Sequence, residues 1–141
     1  MTVDALMSHD VVTVPPDAVL MDIRKMLHEE GFHHLLVVSG DELVGIISDR
    51  DVLREISPFL DTPSETARDV RSLGRPARDI MNSDPITVRP STTAADAASR
   101  LLQNDVSALP VVEGKTLVGI VTTKDLLAHY AGAGLASSDD E

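Results

Sequence analysis

Two short polar signatures stand 74 residues apart in this chain of 141: Ser48-x-x-Asp51 and Thr122-x-x-Asp125. A hydroxyl followed three residues later by an acid is, first, a capping box. The hydroxyl accepts from a free amide of a helix's first turn and the acid reaches back to the cap's own N–H. The same residues can also do binding chemistry. A helix N-terminus fed by a strand presents unpaired N–H groups and a positive dipole end to a phosphate. A carboxylate beside it can accept from both hydroxyls of a ribose. The two readings are compatible, so the choice between them rests on the elements that hold these residues.

Each signature is preceded by an apolar run with one glycine, Leu43-Val44-Gly45-Ile46-Ile47 and Leu117-Val118-Gly119-Ile120-Val121. These runs are too short for helices and rich in β-branched residues, which predicts buried strands feeding helices. The match extends far beyond the motif. At an offset of 74, Met7–Arg54 aligns with Met81–Ala128 without a gap, and 17 of the 48 pairs are identical. The chain is an internal duplication and is read in pairs. Each copy opens with a strand, Val11 to Val14 and Ile86 to Val88, closed by a proline. A helix follows, with Asp17 and Ser91 as expected N-caps and Leu20, Ile23 and Leu27 matching Ala94, Ala97 and Leu101 on one face. Two strands come next, Leu35 to Val38 with Leu43 to Ile47, and Leu109 to Val112 with Leu117 to Val121. They turn at Gly40 and Gly114. Closing helices are expected over Asp49–Ile56, ended by Pro58, and over Thr123–Ala131.

A strand–helix–strand–strand–helix unit leaves one side of its small sheet bare, and two such units covering each other would solve that. The expected fold is therefore mixed α/β (α+β), two βαββα repeats with small sheets flanked by helices. The boundaries read as a first repeat over 1–57, a linker over 58–76, a second repeat over 77–131 and a tail over 132–141. Within the linker, Thr62-Pro63-Ser64-Glu65 predicts the start of a short helix running to about Leu73, stopped by Gly74 and Pro76, either solvated or touching a partner. The small, acidic tail is expected to be disordered.

Composition bounds the function. The net charge of −11 repels nucleic acid and anionic membrane, and the three aromatics, Phe32, Phe59 and Tyr130, leave no stacking platform. Without cysteine there is no disulfide framework, thiol nucleophile or thiolate metal site. No signal-peptide pattern and no apolar run of about 18 residues is present, so a cytoplasmic protein is expected.

The motifs together resemble a tandem pair of cystathionine-β-synthase (CBS) domains, often called a Bateman module. The resemblance rests on Met-x-x-Asp followed by Thr-Val-x-Pro in each copy, on Ser107-Ala108-Leu109-Pro110-Val111-Val112, and on the two Leu-Val-Gly-Ile-hydrophobic-Ser/Thr-x-x-Asp runs. It covers nearly the whole chain. It implies a pseudo-two-fold pair with two clefts for adenosine-containing ligands (AMP, ADP, ATP or S-adenosylmethionine), pairing into homodimers, and no catalytic apparatus. It also implies shared clefts. One would join Ser48 and Asp51 with Ile86, Ala108 and Pro110; the other would join Thr122 and Asp125 with Val12, His34 and Leu36. His33-His34-Leu35-Leu36 departs from Ser107-Ala108-Leu109-Pro110, making the His34 cleft bulkier and leaving His34 as a phosphate contact or a plain surface histidine. Arg50 and Lys124 could approach a phosphate or be solvated helix charges.

Three functions compete. The leading expectation is a stand-alone sensor, not an enzyme, in which nucleotide shifts dimer shape or affinity for an unknown regulated protein. Small residues on the second copy's first helix (Ala94, Ala95, Ala97 and Ala98) suit close helix approach in a homodimer. The second is a structural interaction module whose Ser/Thr-x-x-Asp boxes act only as caps. The third, a metal-dependent hydrolase using His9, His28, His33 and His34, lacks any ligand spacing such as HExxH. Asp49 beside Ser48 points to AMP or ADP rather than a triphosphate there.

Overall fold

The computed structural model describes residues 1–56 and 59–139, the side chains of 133–139 excepted. Two compact units emerge, one of residues 12–85 and one of residues 1–11 with 86–141.

In the 12–85 unit, β1 (Thr13–Val14) is followed by α1 (Leu20–Glu29), β2 (His34–Ser39), β3 (Glu42–Ser48) and α2 (Asp49–Glu55). β1 runs parallel to β2, and β2 and β3 form a hairpin turning through Gly40, whose φ of +64° suits a residue without Cβ. Val14, Leu20, Ile23, Leu35, Val37, Ile47 and Val52 build the core. The stretch expected as a linker contributes too. Leu60 and Leu73 are buried in the same core, on either side of an exposed α3 (Ala67–Arg71). α3 starts later than Pro63 suggested, because Thr66 and Asp69 form a capping box of their own. A single turn, α4 (Ala77–Ile80), closes the unit and places Ala77 in the core.

The 86–141 unit repeats this plan. A 3-10 turn at Val3–Ala5 stands where α4 stands in the other, with Val3 fully buried as Ala77 is. α5 (Ala94–Asn104), β4 (Ala108–Glu113), β5 (Thr116–Thr122) and α6 (Thr123–Asp139) complete it, over a core of Val3, Val88, Ala94, Ala97, Leu101, Leu109, Val111, Val121 and Leu126. Gly114 turns this hairpin at the same φ of +64°. Two of the alanines offered as a dimer seam, Ala94 and Ala97, are thus inside their own core and unavailable to a second copy.

Four expectations are corrected. The first strand begins at Thr13 rather than Val11. Its second counterpart, Ile86 to Val88, shrinks to a parallel bridge of Val88 to Val111. The cause is Pro110. In the 12–85 unit the Leu36 N–H donates to Val12 O at 3.0 Å, but Pro110 at the matched place has no N–H to give Ile86. The helix caps are Val19 and Thr93, not Asp17 and Ser91; Thr93 accepts from the Asp96 amide at 3.1 Å, while Val19 offers no side-chain acceptor. In both units a main-chain carbonyl caps the first helical amide instead, Leu20 N–H to Arg75 O at 2.8 Å and Ala94 N–H to Met1 O at 3.0 Å. Finally, α6 runs past Ala131 to Asp139, across most of the tail expected to be disordered, whose side chains lie outside those described. Pro58 also lies outside the described residues, and α2 has already ended at Glu55.

The motif glycines have a packing reason. A Cβ on Gly45 would strike the Met81 side chain and come within 3.0 Å of Asn82 O. On Gly119 it would come within 2.8 Å of Ser8 O and 2.9 Å of Met7 Sδ. Asn82 exchanges main-chain bonds with Ile46, and Ser8 with Ile120. Each Met-x-x-Asp motif therefore lays its backbone against the glycine-bearing strand that belongs, in sequence, to the other copy.

Candidate functional site

Ser48 ends β3 and caps α2. Its Oγ accepts from the Asp51 N–H at 3.1 Å, and Asp51 Oδ2 accepts from the Ser48 N–H at 2.9 Å. The second copy repeats the box with Thr122 N–H to Asp125 Oδ2 at 2.9 Å and Asp125 N–H to Thr122 Oγ1 at 3.3 Å. Thr122 Oγ1 also lies 3.0 Å from Asp125 Oδ2. In both boxes the cap uses Oδ2 and leaves Oδ1 of a half-buried carboxylate for another donor. Around Asp51 that oxygen has, among the described residues, a long ion pair alone, 3.7 Å from Arg54.

The strands that feed these helices bring in the rest. His34 on β2 sits directly opposite Ser48, and Ala108 on β4 directly opposite Thr122. The residue before each strand gives its carbonyl to the helix as well, His33 O to the Asp49 amide at 3.0 Å and Ser107 O to the Thr123 amide at 2.9 Å. These main-chain caps follow from register and carry no side-chain signature, so sequence reasoning missed them.

The two helix mouths differ. At α2, Asp49 Oδ1 accepts from the Arg50 amide at 2.8 Å, and its Oδ2 lies 3.5 Å from the exposed His33 ring. That carboxylate adds a second negative charge to the α2 N-terminus, beside the capping Asp51. At α6, Thr123 stands in Asp49's place, has no negative charge, and turns its hydroxyl to Ser107 O at 3.3 Å. Lys124 and Arg50 are both exposed on their first turns. Each mouth carries a cation, a capping acid and the helix dipole, and a phosphate meets one further carboxylate at α2, Asp49, that α6 lacks.

The base-side residues differ in the same way. Val12 is half-buried and its carbonyl is taken by Leu36, itself fully buried, whereas Ile86 keeps a carbonyl that Pro110 cannot occupy. Ala108 and Pro110 are buried and small, while His34 is half-buried and larger. Burial holds the His34 pKa below the usual histidine value, with His33 lowering it further and Asp49 and Asp51 pulling it back up. Its ring is therefore neutral at pH 7, and toward a phosphate it would act as a hydrogen-bond donor rather than as a charge. Among the described residues no cluster of three or more His, Cys, Asp or Glu could hold a metal ion. No helix among them is long and apolar enough to cross a membrane.

Comparison with known proteins follows the same lines. The CBS domain family model matches residues 3–58 and 77–132. A CBS domain-containing protein of Dictyostelium discoideum is 36% identical over 128 residues, covering 89% of this chain and 88% of that protein. Protein MJ1225 of Methanocaldococcus jannaschii is 31% identical over 133 residues, covering 92% of this chain and 47% of that one. Its crystal structure, described as that of a proposed archaeal homologue of γ-AMPK, superposes with a TM-score of 0.78. The structure of CBSX2 in complex with AMP is 28% identical, covers 94% of this chain and 98% of that one, and also has a TM-score of 0.78. Several relatives are longer: the chain spans 26% of an inosine-5'-monophosphate dehydrogenase of Korarchaeum cryptofilum and 32% of protein MJ1404 of M. jannaschii. With both repeats matched, and the motif residues in register in both units, the chain belongs to the CBS domain family as a tandem pair.

Proposed function

We propose that this CBS pair is a regulatory module that binds an adenosine-containing ligand and passes its state to a protein partner. The observation that carries this is the pair of capping boxes that each leave one carboxylate oxygen, Oδ1 of Asp51 and of Asp125, for the ribose hydroxyls. The AMP bound by CBSX2, a relative of matching fold and length, supports the ligand class. Ile86, Ala108 and Pro110 offer a small apolar seat and an open main-chain acceptor for a base. Val12, His34 and Leu36 offer a more crowded one. Arg50 and Lys124 are the cations within reach of phosphate. The carboxylate of Asp49 favours AMP, ADP or S-adenosylmethionine at α2 over a triphosphate, and the α6 mouth tolerates the longer phosphate chain.

The module works in the cytoplasm as a homodimer and is not itself an enzyme. Its net charge of −11 supports a protein partner rather than nucleic acid or an anionic membrane. Leu53 and Leu127, matched positions on α2 and α6, are 59% and 64% exposed and supply apolar surface for a second copy. Calorimetric titration with AMP, ADP, ATP and S-adenosylmethionine tests the reading; no heat from any of the four would end it. A purely structural module is the second reading, favoured by the complete capping geometry at Ser48 and Thr122.

A further inference from the structure

The 86–141 unit holds a polar cavity at the opposite end of the β4–β5 hairpin from Thr122 and Asp125. Its volume is about 590 Å³, within the range of small-molecule sites. Its apolar frame is what the duplication supplied: Thr87, Val88, Val112 and Gly114 are identical to Thr13, Val14, Val38 and Gly40 at the matched places. The rest of the lining has changed, and always in one direction. Arg89 replaces Pro15, Ser91 replaces Asp17, Thr92 replaces Ala18 and Arg100 replaces Met26. At these four positions an acidic or apolar residue of the first copy has become a cation or a hydroxyl. In a chain with 12 basic and 23 acidic side chains, two arginines on one cavity go against the overall charge.

The arginines are also prepared for an anion. Arg100 Nη1 donates to Thr87 O at 2.7 Å, which holds the guanidinium across the cavity and leaves its other N–H groups. The Arg89 amide donates to Thr92 Oγ1 at 3.0 Å, so the Thr92 hydroxyl keeps its own proton to donate. Neither guanidinium is in an ion pair among the described residues. The nearest acids in sequence are Asp84, five residues before Arg89, and Asp96 and Asp105 on either side of Arg100. Asp4 is held near by its amide, which donates to Pro90 O at 3.0 Å, and Glu113 stands beside the hairpin turn, paired with Thr116. We propose that this cavity is a second ligand site, distinct from the adenosyl-binding residues, which takes the phosphate group of a small phosphorylated molecule or phosphate itself between Arg89 and Arg100. Planar guanidinium forks suit tetrahedral phosphate oxygens, and the Ser91 and Thr92 hydroxyls add donors.

The test is a two-dimensional amide NMR titration of the full chain with inorganic phosphate and, separately, with glycerol 3-phosphate, ionic strength being held constant with chloride. Saturable shifts are expected at the amides of Arg89, Thr92, Arg100 and Gly114. A tighter ester marks a phosphomonoester as the ligand and equal affinities mark free phosphate; either upholds the site. The pair Arg89→Ala with Arg100→Met should weaken binding at least about tenfold. Ser91→Asp, an exposed change that restores the first copy's carboxylate, should do the same without touching the Arg100–Thr87 bond. The proposal fails if those amides stay unmoved to about 50 mM of either probe, if shifts are confined to Thr122–Asp125, or if the variants bind as the parent does. A response only to a phosphoserine peptide would overturn it in favour of a protein ligand.

Discussion

Asp51 shows how one side chain can be a cap and a ligand group at once, because its two oxygens are divided. Oδ2 accepts from the Ser48 amide, and Oδ1 does not take part in the box. Replacing the carboxylate with an amide keeps one acceptor for the cap and removes the charge from the other position. Asp51→Asn is therefore expected to melt within a few degrees of the parent, since a cap is worth about 0.5–2 kcal/mol and is here largely retained. Its nucleotide affinity should fall at least about tenfold, the factor that ~1.4 kcal/mol represents; Asp125→Asn should act likewise if its end is used. A variant that loses stability but keeps its affinity would make the carboxylate a cap alone. His34 carries the second residue-scale prediction. Its folded pKa lies below the unfolded value of 6.5, so below that value the unfolded chain binds more protons and stability falls as pH falls. The loss is expected between pH 6.5 and the lower folded pKa. His34→Ala, the residue of the second copy, should melt with a flatter pH profile over that window, measured against the parent in the same buffers.

At the scale of elements, the duplication repeats hydrogen bonds as well as residues, and the divergences have local causes. Pro110 removes one strand bond and with it most of a strand; Asp49 adds a carboxylate to one helix mouth that Thr123 does not bring to the other. The motif glycines give the sharpest element-scale prediction. A Cβ on Gly119 would meet the main-chain oxygen of Ser8 at 2.8 Å, which cannot swing away, whereas on Gly45 it would meet chiefly the flexible Met81 side chain, with the main-chain oxygen of Asn82 further off at 3.0 Å. Gly119→Ala should therefore cost on the order of 1–3 kcal/mol through overpacking, and Gly45→Ala less. Chemical denaturation of the two variants side by side decides it, and equal losses would contradict the distinction.

For the whole molecule, binding and stability are linked. A ligand at 100 times its dissociation constant that binds only the folded form adds about 2.7 kcal/mol, which for a chain of this size raises the melting midpoint on the order of 5–10 °C. A melt unmoved by AMP, ADP, ATP and S-adenosylmethionine would favour the structural module. Light scattering should return twice the mass of one chain, and a monomer at high micromolar concentration would remove the homodimer. Much of this molecule was legible in its residues. The offset of 74, the hairpin glycines Gly40 and Gly114, the strand cores and the two hydroxyl–acid boxes are local patterns, each set by side-chain period, turn chemistry or a three-residue spacing. What only the tertiary structure decided are contacts between residues far apart in the chain. Arg75 O and Met1 O cap helices that Asp17 and Ser91 were expected to cap, Met7 and Met81 fill the space over Gly119 and Gly45, and Leu73 of the supposed linker joins a core. The reason is physical: a main-chain carbonyl is the same in every residue and a methionine fits many gaps. Such partners are chosen by where the folded backbone passes, which no local pattern records.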